Sequence, residues 1–222
     1  MPELQHNLYD DLSAVTTESW RTFRIMAELV NALDELNNLK VNCISIFGSA
    51  RCKPESKEYK DAEEIARQLV RAGYGIITGG GPGAMEAANK GAFEENGVSV
   101  GLHIKLPHEQ GCNQYVKTRC TFRYFFIRKF MFVKYARAYV VMPGGMGTID
   151  ELSEAFVIAQ TGRTRPFPII LYNSEFWSGF MDWLRNSMAG KGFIGENEIN
   201  RLITICDSPE EIVAHLQKII IL

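Results

Sequence analysis

The 222-residue chain is 46% apolar and 23% charged, which is the composition of a globular protein with a full core. Collagen-like, disordered and metal-dependent minidomain classes are excluded on that ground. Its 24 basic and 26 acidic residues leave a net charge of -2, so no strong field recruits nucleic acid or an anionic membrane surface.

Residues 1–13 are polar and aperiodic. From Ser19 the apolar residues Trp20, Phe23, Met26, Leu29, Val30, Leu33 and Leu36 recur at three- and four-residue spacings, predicting an amphipathic helix. Residues 1–39 are thus expected to form a tail and docking helix ahead of a domain spanning 40–222. Val41–Phe47 is a short apolar, β-branched run ending at Gly48, the signature of a buried strand. Tyr59–Ala72 reads as a helix with Ala62, Ile65, Ala66, Leu69 and Val70 on one face and Gly73 as its stop. Strands are predicted at Tyr74–Thr78, Val98–Ile104, Ala138–Met142, Phe167–Tyr172 and Leu202–Cys206. Helices are predicted at Ala84 to Glu95, Phe125–Ala136, Thr148–Thr161 and Phe176–Met188, with a last helix capped by Asp207-Ser208-Pro209. Alternation of helices with non-alternating apolar strands predicts one α/β domain, a Rossmann-like, doubly wound parallel sheet covered on both faces.

The five cysteines, Cys43, Cys52, Cys112, Cys120 and Cys206, form no CxxC pair and read as reduced thiols. With no secretory h-region and no apolar run of ~20 residues, a cytoplasmic location without a membrane span is expected.

Ligands of such sheets bind where strands hand over to helices at their carboxyl ends. Three of these handovers are rich in glycine: Gly48-Ser49-Ala50-Arg51, Gly79-Gly80-Gly81-Pro82-Gly83, and Pro143-Gly144-Gly145-Met146-Gly147-Thr148. Glycine lets the backbone approach a ligand closely, and the following helix aims its free N–H groups and positive dipole end at the same spot. An anion cradle is expected, with Gly48, Gly80, Gly81, Gly144, Gly145 and Gly147 in its loops and Ser49 and Thr148 as hydroxyl donors. The spacing fits neither a dinucleotide G-x-G-x-x-G fingerprint nor a Gly-Lys-Ser/Thr P-loop. A mononucleotide or sugar phosphate suits it better than NAD or ATP.

Glu151 is the foremost candidate for chemistry, one turn into the helix that the Pro143–Thr148 loop opens. A carboxylate there is also favoured by the helix dipole, which would explain Asp150 and Glu154 equally well. Arg128 and Lys129 sit in the apolar helix FFIRKFMFVKYARA, where Phe125, Phe126, Phe130, Phe132 and Val133 are expected to be largely buried. A charge there needs a partner or a cavity. Glu86 follows the second glycine loop and is a further carboxylate near the expected cleft. His6, His103, His108 and His215 lack metal-ligand spacing, and no metal site is expected.

Pro143–Glu151 (PGGMGTIDE) matches a PGGxGTxxE signature, and GGGPGAMEAANKGA (79–92), FGSAR (47–51) and the IRK of the apolar helix accompany it. Together they resemble the bacterial branch of the Lonely Guy (LOG) family of cytokinin riboside 5′-monophosphate phosphoribohydrolases, formerly labelled lysine decarboxylase-like. The resemblance runs from about Val41 to Thr161 and more weakly to the C-terminus. It implies a Rossmann-like fold, a homodimer or higher homo-oligomer, and no cofactor. The activity it implies is hydrolysis of the N-glycosidic bond of a purine or cytokinin nucleoside 5′-monophosphate such as AMP, giving free base and ribose 5-phosphate. Arg128 and Glu151 fall on the catalytic positions of the family, and Gly144, Gly145, Gly147 and Thr148 on its phosphate-binding ones. Glu109, in LPHEQ, aligns poorly with a binding glutamate. Two alternatives stand beside this reading. One is a non-catalytic nucleotide or nucleotide-like cofactor binder of the molybdenum-cofactor-carrier type. The other is a pyridoxal-phosphate lysine decarboxylase using Lys90 or Lys129, which no surrounding motif supports.

Overall fold

The computed structural model describes residues 18–106, 111–162 and 167–220. Helix α1 (Glu18–Asn37) precedes an alternating series: β1 (Cys43–Phe47), α2 (Lys57–Arg71), β2 (Gly75–Thr78), α3 (Ala84–Glu94) and β3 (Ser99–Ile104). A strand, β4 (Thr118–Phe122), follows β3 without an intervening helix among the described residues. Then come α4 (Phe125–Tyr135), β5 (Ala136–Val141), α5 (Met146–Gln160), β6 (Ile169–Tyr172) and α6 (Ser174–Trp183), which runs on into a π-helical turn at Leu184–Ala189. The chain closes with α7 (Glu196–Leu202), β7 (Ile203–Cys206) and α8 (Pro209–Ile219).

The seven strands among the described residues are all parallel, in the order β4-β3-β2-β1-β5-β6-β7. The order reverses between β1 and β5, which run side by side from Ile44 opposite Ala138 to Phe47 opposite Val141. That is the switch point at which doubly wound sheets open a crevice. Alternate strand residues feed two cores. Ile44, Ile46, Ile76, Ala138 and Val140 pack under α2, α3 and α8. Phe47, Ile77, Leu102, Tyr139 and Val141 pack under α1, α4, α5, α6 and α7. The fold is the expected doubly wound α/β sheet.

Two elements were not among those predicted. Strand β4 reads TRCTF, with only Cys120 and Phe122 buried, so this edge strand shows a half-buried alternation in place of an apolar run. Helix α7 is a seven-residue segment whose start is stabilised by the Glu198 carboxylate accepting the Gly195 N–H at 2.7 Å. The apolar stripe of α1 also divides. Leu29, Ala32, Leu33 and Leu36 pack on the domain, while Trp20, Phe23, Met26 and Val30 face outward, between 49% and 62% exposed. The apolar helix α4 is less buried than its composition suggested: Ile127, Met131 and Phe132 are covered, but Phe125, Phe126 and Phe130 are about half exposed. The 3.6-residue period gives the sheet only one face of the helix, whatever occupies the other.

Helices α2 and α3 approach backbone to backbone at Gly91, where a Cβ would meet the Glu63 carbonyl oxygen. Gly179 in α6 has open space around it. Gly179→Ala should therefore stabilise the protein by about 0.5–1 kcal/mol through helix propensity alone. Gly91→Ala gains the same propensity but must push the two helices apart, and should destabilise by about 1–3 kcal/mol. Urea midpoints of the two variants check this, and equal shifts would disprove the close packing.

Candidate active site

The loops after β1, β2 and β5 meet at the switch point because their backbones bond to one another. The Ser49 N–H donates to the Pro143 carbonyl at 3.1 Å, and the Ala84 N–H donates to the Ser49 carbonyl at 2.9 Å. Gly83 permits that second bond: its φ of +69° suits glycine, and a Cβ there would collide with the Ser49 carbonyl oxygen. The loops enclose a cleft of about 560 Å³. Gly48, Ser49, Gly81, Gly145, Gly147, Thr148, Arg128 and Glu151 all line it. Helix α5 begins at this cleft with Gly145 as its N-cap and no side-chain cap. The Thr148 N–H donates back to the Gly145 carbonyl at 3.0 Å, and Met146 and Gly147 ahead of it line the cleft, at the helix end that favours an anion.

Arg128 and Glu151 come from different helices and meet in the cleft, Nη2 of Arg128 donating to Oε1 of Glu151 at 3.1 Å. Both are largely enclosed, with 14% and 8% of their side chains exposed. Burial pushes the Glu151 carboxyl above the ordinary value of 4.5; the Arg128 and Lys129 charges oppose the rise, and Glu154 and Asp150 add to it. The guanidinium of Arg128 lies over the Phe125 ring at 5.1 Å and the Phe132 ring at 5.9 Å. Its Nε is buried without a hydrogen-bond partner, so the pair retains an unused donor. The arrangement can hold an anion on the glycine loops and set a buried carboxylate, steadied by a cation, beside whatever the anion carries.

The remaining sequence candidates stand elsewhere. Gly80 is turned away from the cleft: its N–H donates to Thr78 Oγ1 at 2.9 Å and its carbonyl accepts from the Asn113 N–H at 2.8 Å. Gly144 does not line the cleft either, and a side chain there would strike the Thr148 hydroxyl, so it gives that hydroxyl room. Glu86 faces α2, where its carboxylate accepts the Tyr59 hydroxyl at 3.4 Å. Lys129 is engaged by Asp150 at 2.9 Å and by Glu154 at 3.2 Å. Burial works against its charge, but these acids and Glu151 hold its pKa above the ordinary value. Lys90 is bound to Glu63 at 3.0 Å on the outer helices, and that bond raises its pKa. No lysine is among the described residues lining the cleft, and a lysine held protonated is a poor Schiff-base nucleophile. Glu109 lies outside the described residues.

Several cleft residues were not singled out from the sequence. Arg51 lines the cleft, and its signal is its place in the first glycine-rich handover and in FGSAR. Met85, Ile104, Leu106, Phe125, Phe132 and Met146 supply an apolar wall that no local pattern announces. Among the described residues no group of three or more His, Cys, Asp or Glu could hold a metal ion, and no helix is long and apolar enough to cross a membrane.

Fold and site thus define a doubly wound α/β protein with a glycine-lined cleft at the switch point and a buried carboxylate–guanidinium pair. The model of the family described as possible lysine decarboxylase matches residues 85–216, and the chain belongs to that family, the LOG family. It is 28% identical over 176 residues to the cytokinin riboside 5′-monophosphate phosphoribohydrolase LOG of Oryza sativa subsp. japonica, covering 77% of this chain and 70% of that one. It is 26% identical over 159 residues to the cytokinin riboside 5′-monophosphate phosphoribohydrolase of Mycobacterium marinum, covering 71% of this chain and 83% of that one. Among solved structures, the molybdenum cofactor binding protein of Rippkaea orientalis shares the fold with a TM-score of 0.61 at 21% identity, over 83% of this chain and 100% of that one.

A carboxyl with a folded pKa above its unfolded value binds its proton more tightly in the native state. Its contribution to stability is full below pH 4.5 and is lost as the pH rises through the folded value. Removing Arg128 deepens this effect by leaving the carboxylate unpaired. Arg128→Met should cost about 2–4 kcal/mol at pH 8 and clearly less at pH 5, where Glu151 can take up a proton. Equal costs in urea unfolding at the two pH values would show that the pair is not coupled.

Proposed function

We propose that the protein hydrolyses the N-glycosidic bond of a purine nucleoside 5′-monophosphate, with AMP and N6-modified adenine nucleotides as the substrate class. The observation that carries this reading is the buried Arg128–Glu151 pair at the foot of a glycine-lined anion cradle. The phosphoribohydrolase activity for which the rice and mycobacterial relatives are named supports the same reaction.

In this reaction the 5′-phosphate sits on the Gly145–Thr148 helix start and beside Ser49, which holds C1′ of the ribose against Glu151. Phosphate binding remote from the bond being broken thus supplies positioning. As the C1′–N9 bond breaks, its electron pair leaves with the base and positive charge builds at C1′, as at the oxocarbenium-like centre of glycosidases. The Glu151 carboxylate stabilises that charge and accepts a proton from the attacking water, whose oxygen bonds to C1′. The base takes up a proton from solvent, and Glu151 returns its own, so the balance closes with free base and ribose 5-phosphate. Arg128 fixes the carboxylate and orients the substrate, and the apolar wall of Ile104, Leu106 and Phe125 receives the base. A cofactor carrier would use the same cradle but has no need of a carboxylate at the sugar.

Incubation with AMP and a panel of nucleoside monophosphates, followed by chromatography for free base, tests the reading. Adenine release should fall by about 10²–10⁴-fold in Glu151→Gln, with AMP binding retained. Nucleotide that binds and stays intact in the wild type would move the protein to the carrier class. Because the carboxylate is the active form, kcat/KM should fall on the acid side, with an inflection above the ordinary glutamate value of 4.5.

The outward stripe of Trp20, Phe23, Met26 and Val30 on α1 leads us to propose that a second copy of the chain covers it, since monomers rarely leave such a patch exposed. Light scattering should give a dimer or larger assembly that Phe23→Asp weakens; a monomeric wild type would overturn the assignment.

A further inference from the structure

Beneath the second glycine loop lies a set of buried polar side chains where β2, β3 and α3 meet. Thr78, Asn89 and Ser99 are each fully buried. Asn89 Oδ1 accepts from the Thr78 hydroxyl, and its Nδ2 donates to Ser99 Oγ at 2.9 Å and to the Val100 carbonyl at 3.3 Å. Asn113 joins this set from the segment between β3 and β4. Its Nδ2 donates to Asn89 Oδ1 at 3.0 Å and to the Gly81 carbonyl at 3.0 Å, and its backbone N–H donates to the Gly80 carbonyl at 2.8 Å. Burying polar groups among aliphatic strands is costly unless each finds a partner, so the partners chosen here restrict the loop to one arrangement.

The direction of these bonds matters. The N–H of Gly80 is taken by Thr78 and its carbonyl by Asn113, so the whole Gly80 unit is anchored on the side away from the cleft. Gly79 and Gly81, on either side of it, are the loop positions that line the cleft. Gly79 also borders the Arg128 guanidinium, whose Nη1 lies 3.9 Å from the place a Gly79 Cβ would occupy. The Asn113 segment is pressed close over this turn: Cys112 Sγ stands 2.8 Å from the corresponding point at Gly80.

We propose that Asn113 is the positioning residue of the anion cradle. By holding the Gly80 and Gly81 carbonyls from the far side, it sets which peptide groups of the Gly79–Gly83 turn face the ligand. It touches neither substrate nor the reacting atoms. The consequence for a ligand rests on the nucleotide reading above, whereas the locking of the turn does not.

Hydrogen exchange of the peptide spanning residues 79–84, measured with AMP binding and steady-state kinetics on the full chain, separates the two. Asn113→Ala should accelerate exchange in that peptide while β5 and β6 keep theirs. It should weaken AMP binding and raise KM by about tenfold, with kcat changed less than threefold. Asn113→Asp keeps the acceptor that the Tyr115 N–H uses at 3.1 Å but cannot donate to Gly81 or Asn89. It should be at least as impaired as the alanine variant. Rescue by Asp would mean that Asn113 only shapes its own segment, and would overturn the proposal. So would unchanged exchange at 79–84, or accelerated exchange with undiminished AMP affinity. A wild type that does not bind AMP would instead refute the nucleotide reading, and the exchange data would still decide the locking.

Discussion

The geometry of the cleft depends on one residue's backbone. Ser49 bonds through its N–H to the loop after β5 and through its carbonyl to the first turn of α3, so three strand ends that are distant in sequence share one rigid corner. Both bonds lie at the point where the strand order reverses. There the connections after β1 and β5 depart to opposite sides and leave a gap. Without them the glycine-rich turns would be three separate loops, no longer held one against another by these bonds. With them, the loops line one concave cleft, and the start of α5 adds its dipole.

The buried carboxylate–guanidinium pair sits at the foot of that cleft. Arg128 is the fourth residue of α4 and Glu151 the sixth of α5, and both helices begin at the carboxyl edge of the sheet because each follows a parallel strand. Their side chains therefore reach the same height above the strands and can pair. The pair lies against Phe125 and Phe132 with little water around it, which strengthens the attraction and also raises the proton affinity of the carboxylate. A carboxylate in this setting is a better base than an exposed glutamate, and the adjacent Arg128 and Lys129 charges oppose the rise in its pKa.

Much of this was legible in the residues, for physical reasons. Buried parallel strands are apolar throughout, so six of the seven described strands are predicted to within two residues at their ends, and glycines after three of them mark turns that need close backbone approach. The alternating edge strand β4 gave no such run, and its pairing with β3 over Val100–Ile104 exists only in three dimensions. The same holds for Asn89 and Asn113, polar residues 24 positions apart whose contact no local pattern contains. Helix burial was misjudged at Phe125, Phe126 and Phe130 because hydrophobicity says what a side chain prefers, while the docking face decides what it receives.

Glu86 and Glu151 show where such reading stops. Each is a glutamate early in a helix that follows a glycine loop, so spacing treats them alike. Spacing along a helix sets height above the sheet; it does not set the side of the sheet. That side follows from the crossover: right-handed connections place α3 with α2 and α8 on one face, and α5 with α1 and α4 on the other, once the strand order reverses at β1 and β5. Glu86 is accordingly turned to Tyr59 between helices, half-buried and outside the cleft. Glu151 is turned to Arg128 inside it. A carboxylate can act on a ligand at the switch point only from the face whose helices border the cleft with a cation, and topology gives that face to α4 and α5.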